Sequence, residues 1–507
     1  MEETIEQLLS HLTEGYFLMQ VFAIWGLYLT GVIFLYIIRE RMPHSWALLL
    51  GFPMGISLWV LGGFFLLIVG IPLHPVAIGM LVLLGAVLAG ICRNTYYHMR
   101  QILDKDWKNK WKLLKLFCFG SVLVFAGTIL AVSGLLRVSI SNDSVYYYSM
   151  YPMILVEKGR LLPVFDSFLT DAGQGTAVLG TLPFFFGFEQ SFGIQRFLGL
   201  NFLLIFVLAV YEEALKCLSR KKALIVTAMS SLFLATSAPF IIMEKWMMSN
   251  HYMMVFLFLV FYLAWRGQGE GKKSIDFHIA SGIFAAVLST LRMEGGMILC
   301  FLILCISLLT YGNKRLLFVY LLPLALIQGA YYTKIFMFME LNPAYQFLSK
   351  EKAWIQMGII AALFIYLSFI RHRLPWNLEQ QMPGIILGGL AFGNLLLLLL
   401  NPIIYIENIK AFAANFFHQS GWGFFAIFLL IFLLSLPINQ YHFGYMDLAW
   451  IGYLLLGVAV CWARDGILRE GIGDSGNRVM LQAVPLIVYS MTIRIIVCIT
   501  ERFNREE

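Results

Sequence analysis

The sequence predicts an all-α, polytopic membrane protein of about fifteen transmembrane helices. Three observations carry that prediction. Sixty per cent of the 507 residues are apolar and only 13% are charged. Mean hydropathy is +0.80, far from a soluble balance. Apolar runs of near-spanning length recur from end to end. A bilayer core leaves backbone polar groups no water to bond, so such runs are helices.

In chain order the expected crossings are Phe17–Ile38, Trp46–Val69, Val76–Cys92, Leu116–Leu136, Ile194–Ala214, Ala223–Met243 and Met247–Trp265. Phe277–Leu291, Met297–Tyr311, Leu316–Tyr332, Trp354–Ile370, Pro383–Leu400, Trp422–Ile438, Leu448–Cys461 and Ala483–Thr500 follow. The first run is full length and follows an acidic segment, so it reads as a membrane helix and not as a cleaved signal.

Lys and Arg set the expected orientation. The stretch Arg93–Lys115 holds seven basic residues and reads as cytoplasmic. Alternation from it puts Arg39/Arg41, Arg220–Lys222, Arg266–Lys273, Lys314-Arg315 and Arg371–Arg373 on the same side. The N-terminus is then outside, the C-terminus cytoplasmic and the protein a multi-pass component of the cell membrane. The net charge of +7 belongs to loops beside anionic lipid, which argues against nucleic acid as a partner. The seven cysteines lie in or beside apolar runs without metal-ligand spacing. No Gly-rich nucleotide-binding motif occurs.

The basic stretch divides the chain into an N-terminal three-helix segment, 1–115, and a membrane core, 116–507, with a long outer loop at 137–193. Within that loop Val145–Val156 reads as a helix started by Ser141-Asn142-Asp143-Ser144 and stopped near Gly159. Ala177–Phe188 is apolar but short, as expected of a re-entrant or interfacial piece. Phe277–Tyr311 is broken by Arg292-Met-Glu294-Gly-Gly, so two short half-spans meet at a charged turn that lines a cavity. Smaller outer loops are expected at Lys245–His251, Lys334–Lys352, Ile403–Gly421 and Ala463–Gln482.

Asp143 is the foremost candidate for chemistry. As an N-cap it would accept backbone N–H bonds; as a general base it would take a proton from an acceptor hydroxyl. Asp166 and Asp171 are further acids in the same loop, where they also read as hydrated turn residues. Arg292 and Arg478 lie on the outer side against the positive-inside bias. Arginine suits bidentate phosphate recognition, while pairing of Arg292 with Glu294 and snorkelling of Arg478 are the structural readings. Lys245 and His251 share an outer turn and suit either an anionic ligand or interfacial anchoring. Arg494, inside the last crossing, requires a partner that the sequence does not identify. Tyr146, Tyr147, Tyr148 and Tyr151 suit sugar stacking or an aromatic belt.

In their order, these pieces resemble the GT-C class of integral-membrane glycosyltransferases, of the dolichyl-phosphate-mannose-protein mannosyltransferase kind. The motifs are Leu116–Leu136, then Asp143, Tyr147/Tyr148 and Glu157-Lys-Gly159, then Phe186-Gly187, Arg196-Phe-Leu198, Leu291-Arg-Met-Glu-Gly295, and Arg478 to Pro485. The acidic pair common in that class reads Asn142-Asp143 here. The resemblance covers Leu116 to Thr500 and implies a polyprenyl-phosphate sugar donor and a glycan, lipid or protein acceptor. It implies donor phosphate binding by Arg478, helped by Lys245 or Arg292, and inversion at the sugar carbon with Asp143 as base. Asn142, Tyr147, Asp166, Asp171, His251 and Glu294 are the further substrate or metal-site positions, and a divalent cation (magnesium or manganese) is compatible as cofactor. The rival classes are a transporter or flippase of a lipid-linked glycan or organic anion, and a glycan polymerase or ligase.

Overall fold

The computed structural model describes residues 15–39, 42–92, 150–159, 173–185, 192–245, 249–268, 275–292, 295–309, 314–338, 350–371, 376–417, 421–435, 444–463, 469–471 and 475–506, with 122, 126 and 127. Every regular element among them is helical. In order these are α1 (Gly15–Ile38), α2 (His44–Leu49), α3 (Gly51–Val69), α4 (Pro75–Cys92), α5 (Tyr151–Lys158), α6 (Gln174–Phe185) and α7 (Phe192–Cys217). Next are α8 (Arg220–Thr236), α9 (Ala238–Lys245), α10 (Ser249–Arg266), α11 (Ile275–Leu291), α12 (Gly295–Leu309), α13 (Lys314–Phe338) and α14 (Lys350–Ile365). A π turn, Tyr366–Ile370, extends α14, and α15 (Trp376–Leu400), α16 (Pro402–Phe417), α17 (Phe424–Ser435), α18 (Tyr445–Ala463), α19 (Ser475–Leu481) and α20 (Val484–Glu506) complete the order.

Among the described residues six helical segments are long and apolar enough to cross a membrane, against the fifteen crossings expected. A bent pair raises that to seven. The expected crossing Ala223–Met243 is that pair: α8 and α9 meet at Ser237 with a 60° bend. Trp46–Val69 is likewise two helices, α2 and α3, joined at Leu50. Ile403–Gly421, expected as a loop, holds the amphipathic helix α16, whose buried positions Asn408, Ala411 and Asn415 recur at helical spacing. Leu116–Leu136 lies outside the described residues except at three positions.

The core is built around α10. Every residue from Ser249 to Ala264 is buried, the pattern of a helix surrounded by protein on all sides. Aromatic residues pack along it: Phe258 stacks on Tyr262 at 5.6 Å, and Tyr489 of α20 meets both rings edge-on at 5.7 and 5.4 Å. The N-terminal helices belong to the same continuous apolar core. They cross closely because glycines face each other there. A Cβ on Gly31 would lie 1.8 Å from Gly51 O, and one on Gly55 would lie 1.8 Å from Leu27 O.

Ion pairs and hydrogen bonds occupy the end of the bundle where α7 and α10 finish and α11 begins. Arg266 pairs with Glu212 at 3.1 Å, Trp46 Nε1 donates to Glu212 Oε1 at 2.9 Å, and Met42 N donates to Asp276 Oδ2 at 3.0 Å. Arg39 joins this end beside His44 and over the Tyr36 ring, where burial lowers its guanidinium pKa. Along α11 the chain then rises about 1.5 Å per residue, which carries Leu291 roughly 24 Å away, at the opposite end.

Candidate functional site

That opposite end is assembled by glycines and a capped helix terminus. The C-terminus of α11 presents the carbonyl of Leu291, which accepts from Thr176 Oγ1 at 3.0 Å. The segment Gly173-Gln174-Gly175 presses directly onto it. Gly173 is left-handed (φ 83°), and a Cβ there would lie 2.2 Å from Leu291 O; a Cβ on Gly175 would meet Thr290 Oγ1 at the same distance. Only glycine permits this approach. The half-length helix α6 is buried from Gln174 to Pro183, and Trp59 Nε1 donates to its Val178 carbonyl at 3.2 Å. It is therefore an internal half-helix and not an interfacial one.

The charged turn after α11 falls where the sequence breaks. Arg292 ends the helix, Gly295 N donates back to Arg292 O at 3.0 Å, and α12 starts at once. Arg292 Nη1 reaches across to the first turn of α10, donating to Asn250 Oδ1 at 3.0 Å and approaching Ser249 Oγ at 3.4 Å. Asn250 Oδ1 also accepts from Gln482 Nε2 at 2.6 Å, and Gln482 Oε1 accepts from Tyr453 OH at 2.6 Å. A polar chain thus runs from the turn, through α10, to the link between α19 and α20, and on to α18.

Arg478 stands on α19 one helical turn before Gln482 and is only 5% exposed. Its neighbour Asn477 accepts from Trp422 Nε1 at 3.0 Å, which fixes α19 against the start of α17. Burial of this kind is not the snorkelling pose. His251 is wholly buried too, against the ring of Tyr252, with Nδ1 3.3 Å from Glu244 Oε1. The Glu244 carboxylate rests on Gly199, where a Cβ would lie 2.1 Å from Oε2. His251 therefore lies inside the protein and not at an interface. Lys245 occupies the last position of α9. Asp143, Asn142, Tyr147, Asp166, Asp171 and Glu294 lie outside the described residues.

Ser249, Asn250, Gln482 and Tyr453 were not singled out by the sequence, although Ser249-Asn250-His251 is a polar triplet heading an apolar run. Gln174 also went unnoticed. It is 2% exposed, and among the described residues neither of its amide atoms makes a hydrogen bond. Arg494 finds its partner in Asp447, which also accepts from Ser490 Oγ at 2.6 Å. Among the described residues no three His, Cys, Asp or Glu side chains gather to hold a metal ion. The chain matches no protein-family model, no curated protein and no solved structure.

Proposed function

We propose that this chain is a multi-pass membrane glycosyltransferase that works at the Arg292 end of the bundle. It would move a sugar from a polyprenyl-phosphate donor to a hydroxyl of a glycan, lipid or protein. The observation that carries the reading is the Arg292–Asn250–Gln482 chain. It ties the charged turn to the element bearing Arg478, so that two arginines belong to one polar, largely buried end. Guanidinium groups held in such surroundings suit a phosphate leaving group, whose negative charge grows as the sugar–oxygen bond breaks.

In this reading the acceptor hydroxyl gives its proton to the Asp143 carboxylate as its oxygen forms the new glycosidic bond. The bond from the sugar carbon to phosphate oxygen breaks, the electron pair leaves with the phosphate, and configuration inverts. The resemblance in motif order and the placing of Lys and Arg support an outer-face site. The test is a reconstituted assay with labelled lipid-phosphate sugars. Asp143→Asn is expected to abolish transfer while leaving expression and membrane insertion intact; full activity in that variant removes the assignment.

A transporter of a lipid-linked or organic anion is the second reading. It is favoured by the ion pair of Asp447 with Arg494, which joins two candidate spans. Counterflow of the anion in vesicles, without any glycosidic product, would select it.

A further inference from the structure

We infer that the cavity between α12, α14, α15 and α18 binds one acyl chain of a bilayer glycerophospholipid, its ester carbonyl accepting from Gln356 Nε2. The cavity encloses about 540 Å³, within the range of sites that hold one small ligand. Gln356 is its one polar side chain besides Tyr366, and no lining residue is charged. An apolar void offers water no partners and stays dry, while its walls lack dispersion contacts. Hydrocarbon satisfies both conditions.

The walls show where that hydrocarbon comes from. Ile359 and Ile385 line the cavity and are both 45% exposed. Ile355, Phe392 and Leu396, exposed on the same two helices, stand at helical spacing from them, i−4, i+7 and i+11. The opening therefore faces what surrounds a membrane protein. Along α12 the cavity runs from Met297 to Leu304. That is about 10 Å at 1.5 Å per residue, against a leaflet depth of about 15 Å.

Its polar end is defined as well. A Cβ on Gly296 would lie 3.0 Å from Gln356 Oε1, so the amide sits at the cavity end beside the turn that follows Arg292. Tyr332 OH donates to Oε1, and among the described residues no hydrogen bond engages Nε2. Gln356 is 7% exposed. A neutral amide donor of a buried residue, left open at the end of an apolar slot, suits a neutral ester carbonyl. An isoprenoid phosphate, which carries no ester carbonyl, would want a cation there. The inference is independent of glycosyl transfer.

The experiment uses the full chain in nanodiscs containing a phosphatidylglycerol with a diazirine on its acyl chain. Photolabel is read peptide by peptide. Wild type is expected to label residues 297–304 and 385–390. Gly389 lines the cavity, and a Cβ there meets nothing within 4 Å, as is also true of Gly388, which does not line it. Gly389→Leu should therefore fold, fill the space and cut that label at least fivefold, while Gly388→Leu leaves it unchanged. Gln356→Leu should reduce label from a diazirine near the ester more than from one at the chain terminus. Undiminished label in Gly389→Leu overturns the site. Displacement of the label by equimolar polyprenyl phosphate overturns the choice of a glycerophospholipid.

Discussion

Replacing Asn250 by leucine tests the polar chain at its centre. Asn250 Oδ1 accepts two hydrogen bonds, from Arg292 Nη1 at 3.0 Å and from Gln482 Nε2 at 2.6 Å. Leucine has similar size but accepts neither. The bond from a charged donor is worth about 1.5–3 kcal/mol, and the partial exposure of Arg292 places it at the low end. Gln482 is 0% exposed, so orphaning its amide costs about 1–3 kcal/mol. Together the loss is roughly 2.5–4.5 kcal/mol. It should appear as a lower midpoint when the protein is unfolded with SDS in mixed micelles. Asn250→Asp keeps an acceptor at both positions and pairs with Arg292, so it should stay within about 1 kcal/mol of wild type. Removing both neutral partners, in Asn250→Leu with Gln482→Leu, should cost less than the sum of the single changes. An Asn250→Leu midpoint equal to wild type, or an Asn250→Asp loss as large as the leucine one, would refute the reasoning.

Gly295→Ala puts a Cβ 2.6 Å from Ser289 O and 2.8 Å from Leu288 O; it should destabilise by about 1–3 kcal/mol, and an unchanged midpoint would contradict the tight turn. Gly173→Ala adds left-handed strain to a contact of 2.2 Å, so a loss at least as large is expected from the same measurement. Asp447→Asn leaves the Arg494 guanidinium without its carboxylate and should cost about 3–5 kcal/mol, while Asp447→Leu with Arg494→Leu recovers part of that; equal losses in both proteins would show that the cost is not that of a stranded guanidinium. A single cysteine placed between 93 and 115 should react with membrane-impermeant maleimide only after permeabilisation, and one at 2 or 3 should react without it. The reverse pattern would turn the proposed topology over.

Local features were legible in the sequence because their causes are local. Gly159 takes the left-handed conformation (φ 64°) and ends α5 where the expected helix stops. The interruption after Leu291 falls where an arginine and two glycines interrupt an apolar run. Apolarity alone, however, does not separate one straight helix from two joined ones. The bend at Ser237 and the joint at Leu50 therefore stayed hidden inside runs of spanning length. The helix α16 read as a loop because its buried face includes Asn408 and Asn415. Asn415 supports chain from another element, giving Nδ2 to Arg469 O and taking Gly471 N on Oδ1. Its role depends on residues more than fifty positions away.

Distance along the chain also explains why the site was only half visible. Sequence singled out the ionisable members, Arg292, Arg478 and His251, since ionisable groups in an apolar chain stand out. The neutral members connect them over separations of 42 and 232 residues, which no periodicity reveals. Yet α10 makes those members necessary. A helix buried on every side can begin with Ser249, Asn250 and His251 only if other protein groups serve them, and Arg292, Gln482 and Glu244 stand in reach. Deeper in the same helix the residues are aliphatic and aromatic as far as Ala264. Polar chemistry on this axis is thereby confined to its two ends. One end is occupied by Glu212 and Arg266, already paired with each other. At the other, Gln174 is buried and, among the described residues, neither of its amide atoms makes a hydrogen bond.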